Sequence, residues 1–316
     1  MTVKHIGEEA LVRRLAKLAP GRADVVAGIG DDCAVVRFDR NDRFDLLLKS
    51  DPVIEGIHFT RRANAADVGH KALGRVLSDI AAMGGEPLWF LVDLVAPASI
   101  SVARLEGLYR GMARLARRHG VALVGGDTSR GKTLELHVFA AGRVARGKAI
   151  LRSGARPGDV LYVTGSLGGS LRGRHLRFEP RLAEGQWLAA QGWVTAMMDL
   201  SDGLATDLRR MMAASGTGAV IEAARVPVSP AAKRIRDRRS PLEHALADGE
   251  DFELLFTVPR RKTVGFEAAW RRHFRLRCTR IGTMTRRPGL LQLDTSGTLS
   301  PLTIHGYEHF SKRNSN

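Results

Sequence analysis

Directly behind a glycine-rich stretch, GGDTSRGKT (Gly125 to Thr133), the chain changes to a two-residue alternation. Leu134, Leu136 and Val138 stand between Glu135, His137 and Phe139, which is the period of a strand and not of a helix. From Gly126 the stretch satisfies G-x-x-x-x-G-K-T. A phosphate-binding loop of that pattern works because its backbone N–H groups open into a helix whose N-terminus faces the phosphates. A strand behind it removes that helix. The spacing therefore predicts a strand-to-strand connection with a glycine-rich turn, and Lys132 is not assigned to a phosphate.

Applied along the chain, the same periodicities predict alternating strands and helices in the first half. VVAGIGDDCAVVRF reads as strand, turn, strand, and FDLLLKSD as a strand closed by Asp51. AADVGHKALGRVLSDIAAMGG is a helix ended by a glycine pair, and LWFLVDLVA a strand. VARLEGLYRGMARLARRHG is a helix with a C-terminal glycine, and VALVGGD a strand ending at the glycine-rich stretch. Between Gly147 and Gly158 the chain turns polar and rich in turn residues, which sets a boundary between domains 1–148 and 149–316. Beyond it, LYVTGSLGGS predicts a strand and glycine-rich loop, MMDLSDGLATDLRRMMAASG a loop leading into a helix, and DGEDFELLFTVP a turn feeding a strand. The first residues read as a short amphipathic helix ended by Ala19-Pro20-Gly21, and the SKRNSN tail as frayed.

A length of 316 residues with 44% hydrophobic content suits two globular domains. The N-terminus mixes acidic and basic residues where a signal peptide would be apolar, and no apolar run approaches the roughly 20 residues that span a bilayer. A soluble, cytoplasmic protein is expected. Cys33 and Cys278 stand far apart, outside any zinc or redox spacing. The net charge of +16 raises nucleic-acid binding. Its densest runs, Lys233 to Arg239 and Arg271 to Arg280, match no recognition signature, so they are read as solvated faces that help attract anionic substrates.

Aspartates recur at the ends of apolar segments: Asp31 and Asp32 after Gly-Ile-Gly, Asp51, Asp127 after Gly-Gly, and Asp199 and Asp202 around Leu-Ser. Each has an ordinary role in a turn, and Ser201 or Asp202 also suits the N-cap of the helix carrying Leu204, Leu208 and Met211. Asp79 is different, because Val76, Leu77, Ile80 and Met83 surround it and an unpaired buried carboxylate is costly. Hard, oxygen-seeking Mg²⁺ is the natural partner of carboxylates gathered from several short loops, and it also takes phosphate oxygens. The set favours a polyphosphate site.

Taken in order, GIGDDCAVV, SDPVIEGIHF, GHKALGRVLSDIAAMG, GGDTSRG, LRSGARPGD, DLSDGLATDL, DGEDFELLFTVP and GYEHF resemble the motif series of the thiamine-monophosphate kinase family. That family belongs with aminoimidazole ribonucleotide synthetase, selenophosphate synthetase and the hydrogenase-maturation dehydratase. The resemblance implies a two-domain α/β (α+β) fold: an N-terminal mixed sheet that pairs with a second copy into a homodimer barrel, and a C-terminal α/β domain. It implies ATP-dependent phosphorylation of thiamine monophosphate to thiamine diphosphate. It also implies Mg²⁺ ligands at Asp32, Ser50, Asp51, Asp79, Asp127, Asp199 and Asp202, ATP contacts at Gly126, Asp127, Arg152 and Ser201, and acceptor contacts at His58, Glu250 and Tyr307. No general base is assigned, since a phosphate monoester with a second pKa of about 6 is already largely dianionic.

This chain departs from the family pattern at four positions. Lys49 stands where a small or hydroxyl residue is usual, so a fixed ammonium either replaces one metal ion or disturbs its shell. Val76 replaces Asn, Asp248 replaces the first glycine of Gly-Gly-Glu-Asp, and Gly169 replaces Asp. The alternatives are another ATP-using enzyme of the superfamily and a degenerate nucleotide or nucleic-acid binder. Selenophosphate synthetase would need Cys33 as its reactive residue, and the dehydratase would end in cysteine where this chain has Asn316.

Overall fold

The computed structural model describes residues 3–18, 20, 22–38 and 41–308. The SKRNSN tail, the end of the last motif (His309 and Phe310), and Ala19 and Gly21 after the first helix lie outside them. In the first half the order is α1 (Val3–Ala16), β1 (Val25–Ala27), β2 (Ala34–Val36), β3 (Phe44–Ile54), α2 (Ala65–Ala82), β4 (Glu86–Ala96), α3 (Val102–His119), β5 (Ala122–Arg130) and β6 (Glu135–Ala145). These strands form one six-stranded sheet in the order β1-β2-β3-β6-β4-β5, antiparallel except for the parallel pair β4 and β5.

GGDTSR is thus strand, followed by a turn and a second strand, as the alternation requires. Strand β5 does not stop at the glycines but runs through them to Arg130, because it stays paired to β4 as far as Ala96↔Arg130. At Gly126 a Cβ would lie 2.0 Å from the Val92 carbonyl oxygen, so this glycine serves strand packing. Likewise β3 continues past Asp51 to Ile54, held by pairing with β6 through Ile54↔Glu135. Asp51 therefore sits inside a strand, not at its end.

The second half runs β7 (Val160–Thr164), α4 (Leu182–Gln191), β8 (Ala196–Asp199), α5 (Leu204–Ser215), β9 (Gly218–Glu222), α6 (Pro230–Arg234), α7 (Pro241–Ala247), β10 (Leu254–Val258), α8 (Thr263–His273), β11 (Cys278–Thr285), β12 (Leu290–Leu293) and β13 (Leu299–Pro301). Its seven-stranded sheet has the order β13-β12-β9-β11-β7-β10-β8. The stretch expected as a loop before α5 begins as strand β8, paired with β10. Helix α5 starts from Gly203 without a side-chain cap, so neither Ser201 nor Asp202 caps it.

One face of the first sheet is packed by α2. Leu136, Val138 and Ala140 of β6 and Phe90, Val92 and Leu94 of β4 point inward with Val68, Leu73, Leu77 and Ile80 of α2. Helix α3 backs α2 at very short range: a Cβ at Gly69 would lie 1.9 Å from the Leu108 carbonyl oxygen, and one at Gly111 1.9 Å from that of Ala66. That closeness buries α2 almost all round.

The turn from Asp248 to Glu253 carries two non-glycine residues at positive φ, Glu250 at 64° and Phe252 at 50°. Such residues cost about 1–3 kcal/mol each and persist only when the surroundings hold them. Here the Glu250 and Phe252 N–H groups donate to the Ser201 and Leu200 carbonyls at 2.6 and 2.8 Å, and the Ser170 hydroxyl donates to the Glu250 carbonyl at 2.6 Å. Between them, Asp251 accepts the Gly168 N–H at 2.8 Å on one oxygen and leaves the other buried without a partner. Burial pushes its carboxyl up to about 8, against the pull of Gly168 and Arg174.

A carboxyl raised in the folded state stabilises it below the unfolded pKa near 4 and loses that contribution as pH rises through about 8. Asp251→Asn keeps an acceptor for Gly168 and cannot ionise. Its thermal midpoint should therefore fall less than the parent's between pH 4 and 8, against a slope from this group of up to about 1.4 kcal/mol per pH unit. Parallel melting curves for the two proteins across that range would refute the assignment.

Candidate active site

Helix α2 presents Lys71, Arg75, Ser78 and Asp79 along one stripe, at i, i+4, i+7 and i+8. All face the second half of the chain. The Lys71 ammonium, with no exposed surface, donates to Glu250 Oε2 at 2.6 Å and to the His58 carbonyl at 2.5 Å. Burial lowers its pKa to about 8, opposed by Glu250. Arg75 reaches Glu250 Oε1 at 3.4 Å and Asp51 Oδ2 at 3.7 Å, and the Ser78 hydroxyl donates to Asp199 Oδ2 at 2.6 Å.

A cleft of about 430 Å³ opens here between the two sheets, lined by Lys49, Asp51, Asp79, Arg152, Asp199 and Asp202 among others, with Glu8 and Glu9 of α1 on one side. At its floor Asp32, Asp79 and Asp199 each place a carboxylate oxygen within 4.8 Å of the others, and all three are buried. Burial pushes Asp199 up to about 6, with the Asp32 charge adding to it. Asp79 rises well above the ordinary carboxylate range for the same reason, opposed by Lys49 and reinforced by Asp51 and Asp199. Asp32 accepts the Arg152 guanidinium on Oδ1 at 3.0 Å from Nε, while its Oδ2 is buried and has no partner.

An orphaned carboxylate oxygen among three converging acids is a donor set that fits a hard divalent cation, which takes oxygen ligands and is small enough to sit within that spacing. Asp51 differs. Burial pushes it up, but Lys49 and Arg75 together hold it below the ordinary range.

The cleft gathers Asp51, Asp79, Asp199, Asp202, Arg152 and Ser201, and Asp32 joins them from beneath through Asp79, Asp199 and Arg152. It does so from different kinds of element, with Asp51 in β3, Asp79 in α2 and Asp199 at the end of β8, not from short loops alone. Ser50 is a correction. Strand alternation turns its side chain to the opposite face of β3 from Lys49 and Asp51, where it is exposed, so its hydroxyl does not reach the carboxylates. Gly126 and Asp127 stand apart from this cleft. Asp127 pairs in register with Asp93 on exposed edge strand β5, outside the cleft of its own chain. His58 is buried and its Nδ1 accepts the Ile54 N–H at 3.1 Å, and Glu250 adjoins the α2 stripe. Tyr307 donates its backbone N–H to the Asp202 carbonyl at 2.9 Å.

Sequence reasoning missed Lys71, Arg75, Ser78 and Arg210. Arg210 bridges Asp202 Oδ2 at 2.5 Å and Asp207 Oδ1 at 2.8 Å. For the first three the signal was present: polar residues on the stripe of Asp79 in an otherwise apolar helix. Among the departures, Val76 is fully buried in the first core. Cys33 is buried, and burial pushes its thiol well up, which makes it a poor nucleophile.

Since Ser78 orients Asp199, Ser78→Ala should weaken divalent-cation binding by about 10-fold or more, and Asp32→Asn should weaken it further. Titration of the full chain with Mn²⁺, read by electron paramagnetic resonance, measures both. Affinities equal to the parent's would show that these carboxylates hold no metal.

Known proteins resemble this chain over nearly its whole length. Residues 30–144 match the family model "AIR synthase related protein, N-terminal domain", and residues 156–291 match the corresponding C-terminal domain. The chain is 36% identical to thiamine-monophosphate kinase of Escherichia coli strain K12, over 96% of this chain and 98% of that protein. It is 37% identical to that of Rhodopirellula baltica, over 90% and 92%. A solved structure described as AaThiL complexed with AMPPCP and TMP superposes with a TM-score of 0.84 at 30% identity, covering 98% of this chain and 99% of that one. With both domains matched and full-length relatives above 30% identity, the chain belongs to the thiamine-monophosphate kinase family of the AIR synthase related proteins.

Proposed function

We propose that this protein phosphorylates thiamine monophosphate to thiamine diphosphate with Mg²⁺ and ATP, by direct transfer in the cleft between the two sheets. The observation that carries the reading is the trio Asp32, Asp79 and Asp199, buried, convergent and with one oxygen unpartnered, in a chain of this family. The trio would hold Mg²⁺, with Asp51 and Asp202 flanking it. Bound there, the ion supplies charge neutralisation for the transferring phosphoryl group. Arg152 and Ser201 line the same cleft and are assigned to ATP. His58, Glu250 and Tyr307 are assigned to the acceptor.

The remaining chemistry is positioning. The acceptor phosphate is already ionised near neutral pH, so no side chain has to remove a proton. The obstacle is repulsion between two polyanions, and fixed cations answer it: Arg152, Arg75, Lys49 and Arg210 all line the cleft. The relative solved with AMPPCP and TMP supports both ligands.

We further read the protein as a cytoplasmic homodimer with its domains meeting at 148/149. The sheet face opposite α2 supports the dimer: Trp89, Val124 and Phe139 stand 48%, 57% and 36% exposed around a shallow apolar depression, and all nine residues of edge strand β5 are exposed. A second copy would cover that face, and Gly126 and Asp127 would meet nucleotide through that assembly. For the compartment, no helix among the described residues is long and apolar enough to cross a membrane.

A chromatographic assay of the purified chain with ATP, Mg²⁺ and thiamine monophosphate should yield thiamine diphosphate. The product should vanish in Asp199→Asn and persist in Lys132→Ala, since Lys132 follows a strand and not a phosphate loop. If no product forms while ATP still binds, the protein is a nucleotide binder and not this kinase. Loss of activity in Lys132→Ala would restore the loop reading.

A further inference from the structure

Countercharge is unevenly shared among the cleft carboxylates. On β3, Lys49 and Asp51 lie two residues apart and so face the same side, and Asp79 arrives from α2. The Lys49 ammonium lies 3.0 Å from Asp79 Oδ1 and 3.7 Å from Asp51 Oδ1. Asp51 also has Arg75 at 3.7 Å, so two cations of the chain already face it. Asp199, by contrast, has the Ser78 hydroxyl as its one side-chain donor among the described residues, and Asp32, paired with Arg152 through Oδ1, keeps Oδ2 buried without a partner. Among the described residues, the trio's oxygens that no cation of the chain touches include Asp32 Oδ2 and those of Asp199.

An ammonium between two carboxylates does part of what a bridging divalent ion does. It presents positive charge and three donors, and it holds both acids at a fixed separation. It differs in being covalently attached, present at any magnesium concentration and unable to exchange. We propose that Lys49 takes the place of one divalent cation in this cleft, neutralising Asp51 and Asp79 from within the chain and leaving a single metal position at Asp32, Asp79 and Asp199. This rests on the Mg²⁺–ATP reading above. It turns the residue that departs from the family pattern into a positioning residue for the reaction.

The test counts ions on the full chain without nucleotide, so it does not depend on turnover. Mn²⁺ titration read by electron paramagnetic resonance should give one bound ion in the parent and a second in Lys49→Ser, which opens the space between Asp51 and Asp79. Lys49→Met, which keeps most of the packing, guards against a folding defect in the serine variant. Its thermal midpoint should rise with added Mg²⁺ more than the parent's, since its two unneutralised carboxylates now gain from the ion. Equal ion counts in parent and Lys49→Ser, with equal Mg²⁺ responses in Lys49→Met, overturn the proposal while leaving the metal site intact. Absence of Mn²⁺ from every form overturns it together with the reading on which it rests. If Lys49 instead served only to grip ATP, the serine variant would lose nucleotide affinity with its ion count unchanged, and that result also overturns the proposal.

Discussion

A buried helix that carries a lysine, an arginine, a serine and an aspartate on one stripe cannot be completed by its own domain. Breaking a buried ion pair by removing one partner leaves an uncompensated charge and costs about 3–5 kcal/mol. The α2 stripe has several such groups with Glu250 and Asp199 as their partners, both from the second half of the chain. Docking of the two sheets is therefore tied to the electrostatics of α2, and the cleft lies where that docking leaves room. The strained turn at Glu250 fits the same account. Positive φ aims a carboxylate at Lys71 and Arg75, and backbone bonds to Leu200 and Ser201 hold it there.

The same charges suit the proposed chemistry. Transfer between two phosphate-bearing molecules needs positive charge held at fixed points and little proton chemistry, and the cleft lining alternates acids with Lys49, Arg75, Arg152 and Arg210. Fixed cations hold the acids in place before any ligand arrives. Asp32 Oδ2, buried there without a partner, is an oxygen that a metal would complete.

Much of the fold was legible because its signals are local. The alternation after Thr133 identified β6 and removed the phosphate loop, and the glycine after α3 is indeed a left-handed cap. Strand β8 was not legible. Its residues are buried on both sides, so no alternation marks it. Strand ends were misplaced where pairing decides them, as at Asp51 and at the glycines of β5. In the site, the aspartates declared themselves by spacing, whereas Lys71 and Arg75, though polar on the stripe of Asp79, show their partner only when Glu250 is brought to them across 179 and 175 positions of chain. Ser50 shows the converse. Its alternation with Lys49 and Asp51 was visible in the sequence, and the motif resemblance outweighed it.

The departures at Gly169 and Asp248 belong together. The Gly169 N–H donates to Asp248 Oδ2 at 2.9 Å, and Asp248 is further held by His244 and by Arg239 at 3.0 Å. Gly169 has φ near +70°, and a Cβ there would lie 2.7 Å from the Ala232 nitrogen, so position 169 of this chain has no room for the aspartate usual in the family. The Asp248 carboxylate comes from the facing turn onto the Gly169 backbone. Two positions far apart in the linear sequence thus meet in space. At that contact the glycine allows the loop to pack against α6 at a distance that a side chain would forbid.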